Sequence, residues 1–292
     1  MIHLALSPAA TGDPLERARR HIDANLFEPL SLAGLAGAAG LSAYHFTRQF
    51  GARFGVSPMA YVRGRRLAAA AERLCAQRPT PLVELAFDCG FDSQEGFTRA
   101  FKRAFGVPPG RFRRAGGQTV PLETLPMSET AIRINLTQAP APVRKGPLRI
   151  VGLSGVFDDA NKAAIPLLWE RLIGMMPIPG VADFESFGVC AGGPEPGSLR
   201  YTAGFPIPAG APTPAGLELV ELAPQTYLVF RQVIDAGPLH PQMQAATKAI
   251  WGELVPKSGR RLVHAPDLEF YPADFTPGRA GDWVEWWLPV EV

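Results

Sequence analysis

One stretch of this chain is written twice. Leu35-Ala36, Gly40 and Leu41 recur fifty residues later as Leu85-Ala86, Gly90 and Phe91. After one extra residue, Phe46, Arg48, Phe50 and Phe54-Gly55 recur as Phe97, Arg99, Phe101 and Phe105-Gly106, now at an offset of 51. Pro58 and Tyr61 recur at that offset as Pro109 and Phe112. Each copy therefore reads as one supersecondary unit with its own small core. In the second copy Thr80 is placed as an N-cap with Pro81 at the first helical position. Leu82, Leu85 and Ala86 have helical spacing, and Gly90 suits a left-handed helix end. Asp92 and Ser93 can cap a second helix with Phe97, Ala100, Phe101, Ala104 and Phe105 on one side and Arg99, Lys102 and Arg103 toward the others. Gly106 and Pro108-Pro109 stop it. Two helices, a glycine turn and a basic second helix outline a helix-turn-helix. The spacing predicts a further Ala-rich helix from about Met59 to Ala76 between the two copies. A rigid connector would hold the two basic helices at a fixed separation, so that one chain reaches two major-groove segments a helical turn apart. Pro14 to Asn25, with Asp13 as cap and Leu15, Ala18 and Ile22 on one face, reads as a first amphipathic helix.

Charge divides the chain in the same place. The net charge of +2 conceals 16 Lys+Arg against 9 Asp+Glu in residues 1–115, a net +7. Residues 116–292 carry 13 against 18, a net −5. All but one of the basic side chains in the first part are Arg, which suits phosphate forks and guanine edges. Gly116 to about Met127, with Gly116-Gly117, Pro121 and Pro126, reads as a linker. At 292 residues, with 47% hydrophobic and 19% charged residues, two globular domains are expected. The three cysteines, Cys75, Cys89 and Cys190, form no CxxC pair and read as buried free thiols, with no structural metal or disulfide framework. No stretch has the length and apolar character of a membrane span or a secretory leader. A cytoplasmic, bacterial protein without cofactor is the expectation.

Beyond the linker the period changes. Ile132–Leu136, Arg149–Gly155, Phe187–Ala191, Arg200–Ile207, Leu217–Leu222, Gln225–Val233, Leu268–Tyr271 and Trp283–Val290 read as strands, and two helices lie within 158–176 and 238–255. The order strand, helix, strand, strand occurs twice, as two sheet–helix halves around a shared groove. On the last strand Trp283, Glu285 and Trp287 share one face and Val284, Trp286 and Leu288 the other. A carboxylate between two Trp side chains requires a partner if it is buried, and an acid with aromatic walls suits an organic cation. The same pattern also fits an edge strand whose Glu285 faces water.

The N-terminal residues, LSLAGLAGAAGLSAYHFTRQFGARFGVSPMAYVRGRRL followed by LAFDCGFDSQEGFTRAFKRAFGVPPGRFR, resemble the DNA-binding domain of the AraC/XylS family of transcription regulators. The resemblance covers about residues 12–115 and implies seven helices and two helix-turn-helix units on promoter DNA. It places Tyr44, Thr47 and Arg48 of the first recognition helix, and Gln94, Glu95, Thr98 and Arg99 of the second, at base edges and nearby phosphates. Ser42, Arg63 and Lys102 are candidates for phosphate. Arg48 and Arg99 can fork to guanine, Gln94 can pair with adenine and Glu95 can accept from cytosine. The Gly/Ala-rich helix at residues 33–40 departs from the family and should be weaker than usual.

GLELVELAPQTYLVFR, AIWGELVPKSGRRL, DLEFYPADF and WVEWWLPVEV resemble the GyrI-like effector-binding domain, in order, over about residues 130–292. The resemblance implies two sheet–helix–sheet repeats forming a small-molecule site. It assigns the hallmark glutamate to Glu285 and the aromatic walls to Trp283, Trp287, Trp169, Tyr201, Tyr227, Trp251 and Tyr271. Trp169 and Trp251 equally suit the cores of their helices. The expected architecture is thus a multidomain α and α+β chain: residues 1–115 for DNA, 116–129 as linker and 130–292 for ligand. The expected function is a transcription regulator, not an enzyme, with promoter DNA, a lipophilic effector (organic cations among them) and RNA polymerase as partners. The alternatives are a hydrolase using Glu285 as base with Tyr271 or Tyr227, and a domain serving only for protein contact.

Overall fold

The computed structural model describes residues 13–75, 80–116, 135–136, 140–158 and 161–291. The chain divides into two compact units, Met1–Thr130 and Ala131–Val292. The linker expected within Gly116–Met127 and the start of the strand expected at Ile132 lie outside the described residues, apart from Gly116.

The first unit has seven helices among the described residues: α1 Pro14–Ala24, α2 Leu32–Ala39, α3 Ala43–Phe54, α4 Pro58–Leu74, α5 Leu82–Asp88, α6 Gln94–Phe105 and α7 Pro109–Arg114. The two recognition helices start in the same way. The Ser42 side chain accepts from His45 N–H at the start of α3, and Ser93 accepts from Gly96 N–H at the start of α6, which satisfies otherwise orphaned donors. Gly40 and Gly90 both sit at φ +72°, at the turns before them. In the second copy the helix begins one residue later than expected: Pro81, not Thr80, is the cap of α5. The Gly/Ala-rich α2 forms because Leu32, Leu35 and Ala36 are buried, so packing outweighs weak propensity.

The repeat is realised in three dimensions. Phe46, Phe50, Phe54 and Tyr61 lie in one core, and Phe97, Phe101, Phe105 and Phe112 in a second. Phe50 meets Phe54 at 4.5 Å and Tyr61 edge-on at 5.6 Å, while Phe101 meets Phe105 at 4.3 Å and Phe112 edge-on at 5.3 Å. The repeat also extends further than the sequence reading found. Leu15, Ala18 and Ile22 of α1 have the spacing of Leu67, Ala70 and Leu74 of α4, and all six are buried. The start of α4 closes the first helix-turn-helix module, and the rest of it opens the second module.

Among the described residues the second unit is one eight-stranded antiparallel sheet with helices on one face. Its strands are β1 Ala141–Lys145, β2 Leu148–Phe157, β3 Ser186–Gly192, β4 Leu199–Pro206, β5 Glu218–Leu222, β6 Gln225–Val233, β7 Asp267–Tyr271 and β8 Trp283–Pro289, in the spatial order β1-β6-β8-β7-β3-β4-β2-β5. That order is two-fold: β5-β2-β4-β3 mirrors β1-β6-β8-β7, and the halves meet where β3 pairs with β7. Helix α8 (Ile165–Ile173) follows β2 and α9 (Leu239–Ala249) follows β6, completing the twofold strand–helix–strand–strand order. The first helix is shorter than the segment expected for it because Pro166 sets its first turn. The second passes into a π-helical segment, Ile250–Leu254. Of the strand expected at 132–136, Leu136 makes an isolated bridge to Gln232. The edge strand β1 was not expected, and its largely exposed residues explain why no alternation marked it. Trp169, Leu239 and Met243 of the helices pack on Ile234, Tyr271 and Val284. The other face gathers Ile150, Phe187, Val189, Tyr227, Val229, Leu268 and Trp287. Among the described residues no helix is long and apolar enough to cross a membrane. Cys89 and Cys190 are buried and in no disulfide, as expected, but Cys75 is exposed at the end of α4.

Each Phe-rich core should be independently sensitive. Phe101→Ala is expected to cost about 3–5 kcal/mol, and Phe50→Ala about the same, read as a lower denaturant midpoint of the helical circular dichroism signal.

Candidate functional site

Alternation along the strands puts the aromatic and acidic residues of the second unit on two different faces. Glu269 of β7 is in register with Gly188 of β3, and Cys190 with Tyr201 of β4. Side chains of Glu269, Tyr271 and Tyr201 therefore share the helix-bearing face. There the Tyr201 and Tyr271 hydroxyls both donate to Oε2 of Glu269, at 2.8 and 3.0 Å. Trp169 Nε1–H donates to the Tyr201 oxygen at 3.1 Å. The Trp169 ring meets Tyr271 edge-on at 5.4 Å, and Phe275 lies 5.1 Å from Tyr271 on its other side. Gly188 leaves the room for this cluster. A Cβ there would lie 2.8 Å from Glu269 Oε2 and would collide with the Tyr201 hydroxyl.

Burial pushes the Tyr201 and Tyr271 phenols well above their usual range, and the Glu269 charge adds to the effect. They remain neutral donors. They donate to the Glu269 carboxyl group and set aromatic rings beside it.

The second acid has a different setting. Glu285 of β8 is 6% exposed and lies opposite Arg231 of β6. Arg231 donates to Oε1 of Glu285 from Nε and Nη2, at 3.1 and 2.7 Å, and Trp287 Nε1–H donates to Oε2 at 2.7 Å. The Arg231 guanidinium also lies 4.0 Å above the Trp283 ring, and Lys145 Nζ lies 3.9 Å above Trp287. The cationic partner of Glu285 is thus already part of the protein. Tyr227, 2% exposed, belongs to this face, with its ring 5.9 Å from Trp287. Burial raises its phenol to about 12, with the charge of Asp267 adding to the shift.

The residues expected at one site are therefore not brought together. Trp169, Tyr201 and Tyr271 surround Glu269, while Trp283, Glu285, Trp287 and Tyr227 lie on the opposite face. Trp251 is fully buried on the π-helical segment, a core side chain. Sequence reasoning passed over Glu269, although Glu269 and Tyr271 stand two apart with the same alternation as the Trp-Glu-Trp of β8. What the sequence lacked was each acid's cross-strand neighbour: Arg231 for one, Gly188 for the other.

In the first unit, Gln94, Glu95, Arg99 and Lys102 of α6 are exposed and Thr98 is half-buried. Gln94, Thr98 and Lys102, four residues apart and hence on one helix stripe, line a groove of about 540 Å³ with Arg111 and Arg114 of α7. On α3 the arrangement is tighter. Tyr44 is 9% exposed, and its hydroxyl accepts from Arg48 Nη1 at 2.9 Å. Thr47 Oγ1 donates to the Ala43 carbonyl at 2.8 Å. Tyr44, expected at base edges, is instead packed inward and holds the Arg48 guanidinium. His45 is also buried.

The helix-turn-helix domain family matches residues 35–115, and the GyrI-like small molecule binding domain family matches residues 140–291. The chain is 42% identical over 96 residues to the right origin-binding protein of Escherichia coli K12, covering 32% of each chain. It is 37% identical over 97 residues to the multiple antibiotic resistance protein MarA of the same strain, covering 33% of this chain and 76% of MarA. It is 31% identical over 151 residues to the transcriptional regulator BrlR of Pseudomonas aeruginosa, covering 51% and 54%. The match to the right origin-binding protein spans about a third of that relative's length.

The phenols give a pH signature. Tyr201, Tyr227 and Tyr271 have folded values above the free-tyrosine value of about 10, so their contribution to stability is complete below that pH and is lost as pH rises through the folded values. An alkaline titration followed by phenolate absorbance should show Tyr227 ionising near pH 12 and Tyr201 and Tyr271 only as the fold opens.

Proposed function

The chain belongs to the GyrI-like small-molecule-binding family and carries an AraC-type helix-turn-helix domain, and from that premise we propose that it is a one-component transcription regulator responding to lipophilic organic cations. The first unit reads a bipartite promoter site with α3 and α6. The second takes the effector at Glu269. The observation that carries the sensing half is the Glu269 carboxyl group, which accepts from the neutral Tyr201 and Tyr271 hydroxyls, with Trp169 and Phe275 packed against Tyr271. Aromatic faces attract a desolvated cation, and an ionised acid among them supplies the charge that selects it from neutral molecules of the same shape. Glu285 is the weaker candidate for this role, since an incoming cation would have to displace Arg231.

On the DNA side, Arg99 and Gln94 are the exposed residues of α6 that can fork to a guanine and to an adenine. Lys102, Arg111 and Arg114 suit phosphates, which set register but carry no sequence information. Regulation requires the effector to favour one conformation over another, because equal affinity for both shifts nothing.

Two measurements test this reading. Arg99→Ala should weaken binding to the selected site by about 1–3 kcal/mol and relax one base position. Uniform weakening on every sequence would make Arg99 a phosphate contact. Glu269→Gln should lower affinity for tetraphenylphosphonium, read by calorimetry, by about tenfold or more, equivalent to about 1.4 kcal/mol, while neutral triphenylphosphine oxide changes little. If Glu285→Gln shows that discrimination and Glu269→Gln does not, the effector site lies on the other face of the sheet.

A further inference from the structure

The two helix-turn-helix units share α4, and one side chain at the middle of that helix touches both. Arg66 Nε donates to the Leu26 carbonyl at 2.7 Å, and Nη2 donates to the Glu28 carbonyl at 2.9 Å. Both carbonyls belong to the loop between α1 and α2, in the first helix-turn-helix module. The other side of the same guanidinium lies on Gly90, in the turn of the second helix-turn-helix module. A Cβ at Gly90 would stand 2.9 Å from Arg66 Cζ and 3.5 Å from Nη2. On α4 itself Arg66 falls between the buried residues of the two cores: Tyr61 and Val62 belong to the first, against which Ala69 also packs, and Leu67, Ala70, Ala71 and Leu74 to the second. Other ties along α4 each serve one unit. Tyr61 and Arg65 reach Asp23, and Arg73 reaches Asp88.

The repeat supplies an internal control. Gly40 and Gly90 are equivalent positions with the same φ of +72°, but space around Gly40 is open to 4 Å, while Gly90 carries the guanidinium. Backbone conformation alone requires glycine at both. Only at Gly90 does the missing side chain also seat a group from elsewhere.

We propose that Arg66, seated on Gly90, is the brace that fixes the angle and distance between the two recognition helices, and so sets the half-site spacing that the protein accepts. The planar guanidinium suits this role because it presents several donors in one rigid plane and a flat face at once. An ammonium has neither. Arg66 is a positioning residue: nothing places it on a base, and it acts through where α3 and α6 stand.

The spacing consequence rests on the DNA-binding reading given above, whereas the brace itself does not, and the test separates them. Nitroxides placed by Arg53→Cys on α3 and Arg103→Cys on α6, in a full-length Cys75→Ser background, report the distance between the recognition helices by pulsed electron paramagnetic resonance. The unaltered brace should give one narrow distribution. Arg66→Ala and Gly90→Ala should broaden or shift it, Arg66→Lys should not restore it, and Gly40→Ala should leave it narrow. An unchanged distribution in Arg66→Ala and Gly90→Ala, with the helical signal intact, overturns the brace.

On DNA, the bipartite site selected by the wild type is compared with versions one base pair longer or shorter, a shift of about 3.4 Å. The wild type should lose about tenfold or more on either, as half-site geometry demands, and Arg66→Ala should bring the three sites to within about threefold of one another. Weakening by an equal factor on all three sites, with the spacing penalty kept, refutes the specificity role. If the wild type selects no bipartite site at all, the DNA reading fails together with the spacing role, and the label distances alone decide whether Arg66 is a brace.

Discussion

Helix α4 belongs to two hydrophobic cores at once, and the architecture of the first unit depends on that sharing. A core of about a dozen apolar side chains, such as either of these, is small for independent stability. By lending Tyr61 and Val62 to one core and Leu67, Ala70, Ala71 and Leu74 to the other, a single rigid rod couples two marginal modules. The coupling also has a geometric result. Because α1, α2, α3 and the start of α4 are matched by the rest of α4 with α5, α6 and α7, the two recognition helices are related by the length and twist of one helix rather than by a flexible linker. Arg66 lies at the point on that rod where any bend or roll would be felt by both modules.

The sheet of the second unit applies the same economy in a different form. Two half-sheets meet at the β3–β7 pairing, and the Glu269 cluster straddles that seam, with Tyr201 from one half and Glu269 and Tyr271 from the other. The unit contains two acids among aromatic rings, handled in opposite ways. Glu285 receives a guanidinium and an indole N–H, which makes it part of the sheet's own electrostatics. Glu269 receives two phenols whose protons burial retains. The phenols orient that acid without bringing a countercharge of their own, so the two acids stand in different electrostatic settings.

Much of the fold was legible in the residues. The glycines at 40, 55, 90 and 106, the serines at 42 and 93 and the phenylalanines at helical spacing marked out the recognition helices, since caps, left-handed turns and periodicity are short-range properties. Alternation likewise placed Trp283, Glu285 and Trp287 on one face of β8. The edge strand β1 escaped notice because a strand with little buried surface needs no alternation. The link between α1 and α4 escaped because three aligned apolar residues on an Ala-rich helix carry little signal. At the candidate site, Trp169, Tyr201 and Tyr271 were named from the sequence and grouped with Glu285, whereas the fold sets the two tyrosines against Glu269.

That regrouping marks the boundary between what the chain determined alone and what required the fold. The sequence by itself determined the two helical modules, the change to a strand-rich second unit, the contrast of charge between them and the face on which each strand residue lies. All of these follow from interactions a few residues apart or from composition. Tertiary structure decided which groups each carboxylate meets and which side chain of α4 touches both helical modules. Those outcomes turn on partners far along the chain, 54 residues for Arg231 and Glu285, 68 for Tyr201 and Glu269, and 40 for Arg66 and Leu26. Register and packing bring such pairs together, and no local period encodes them.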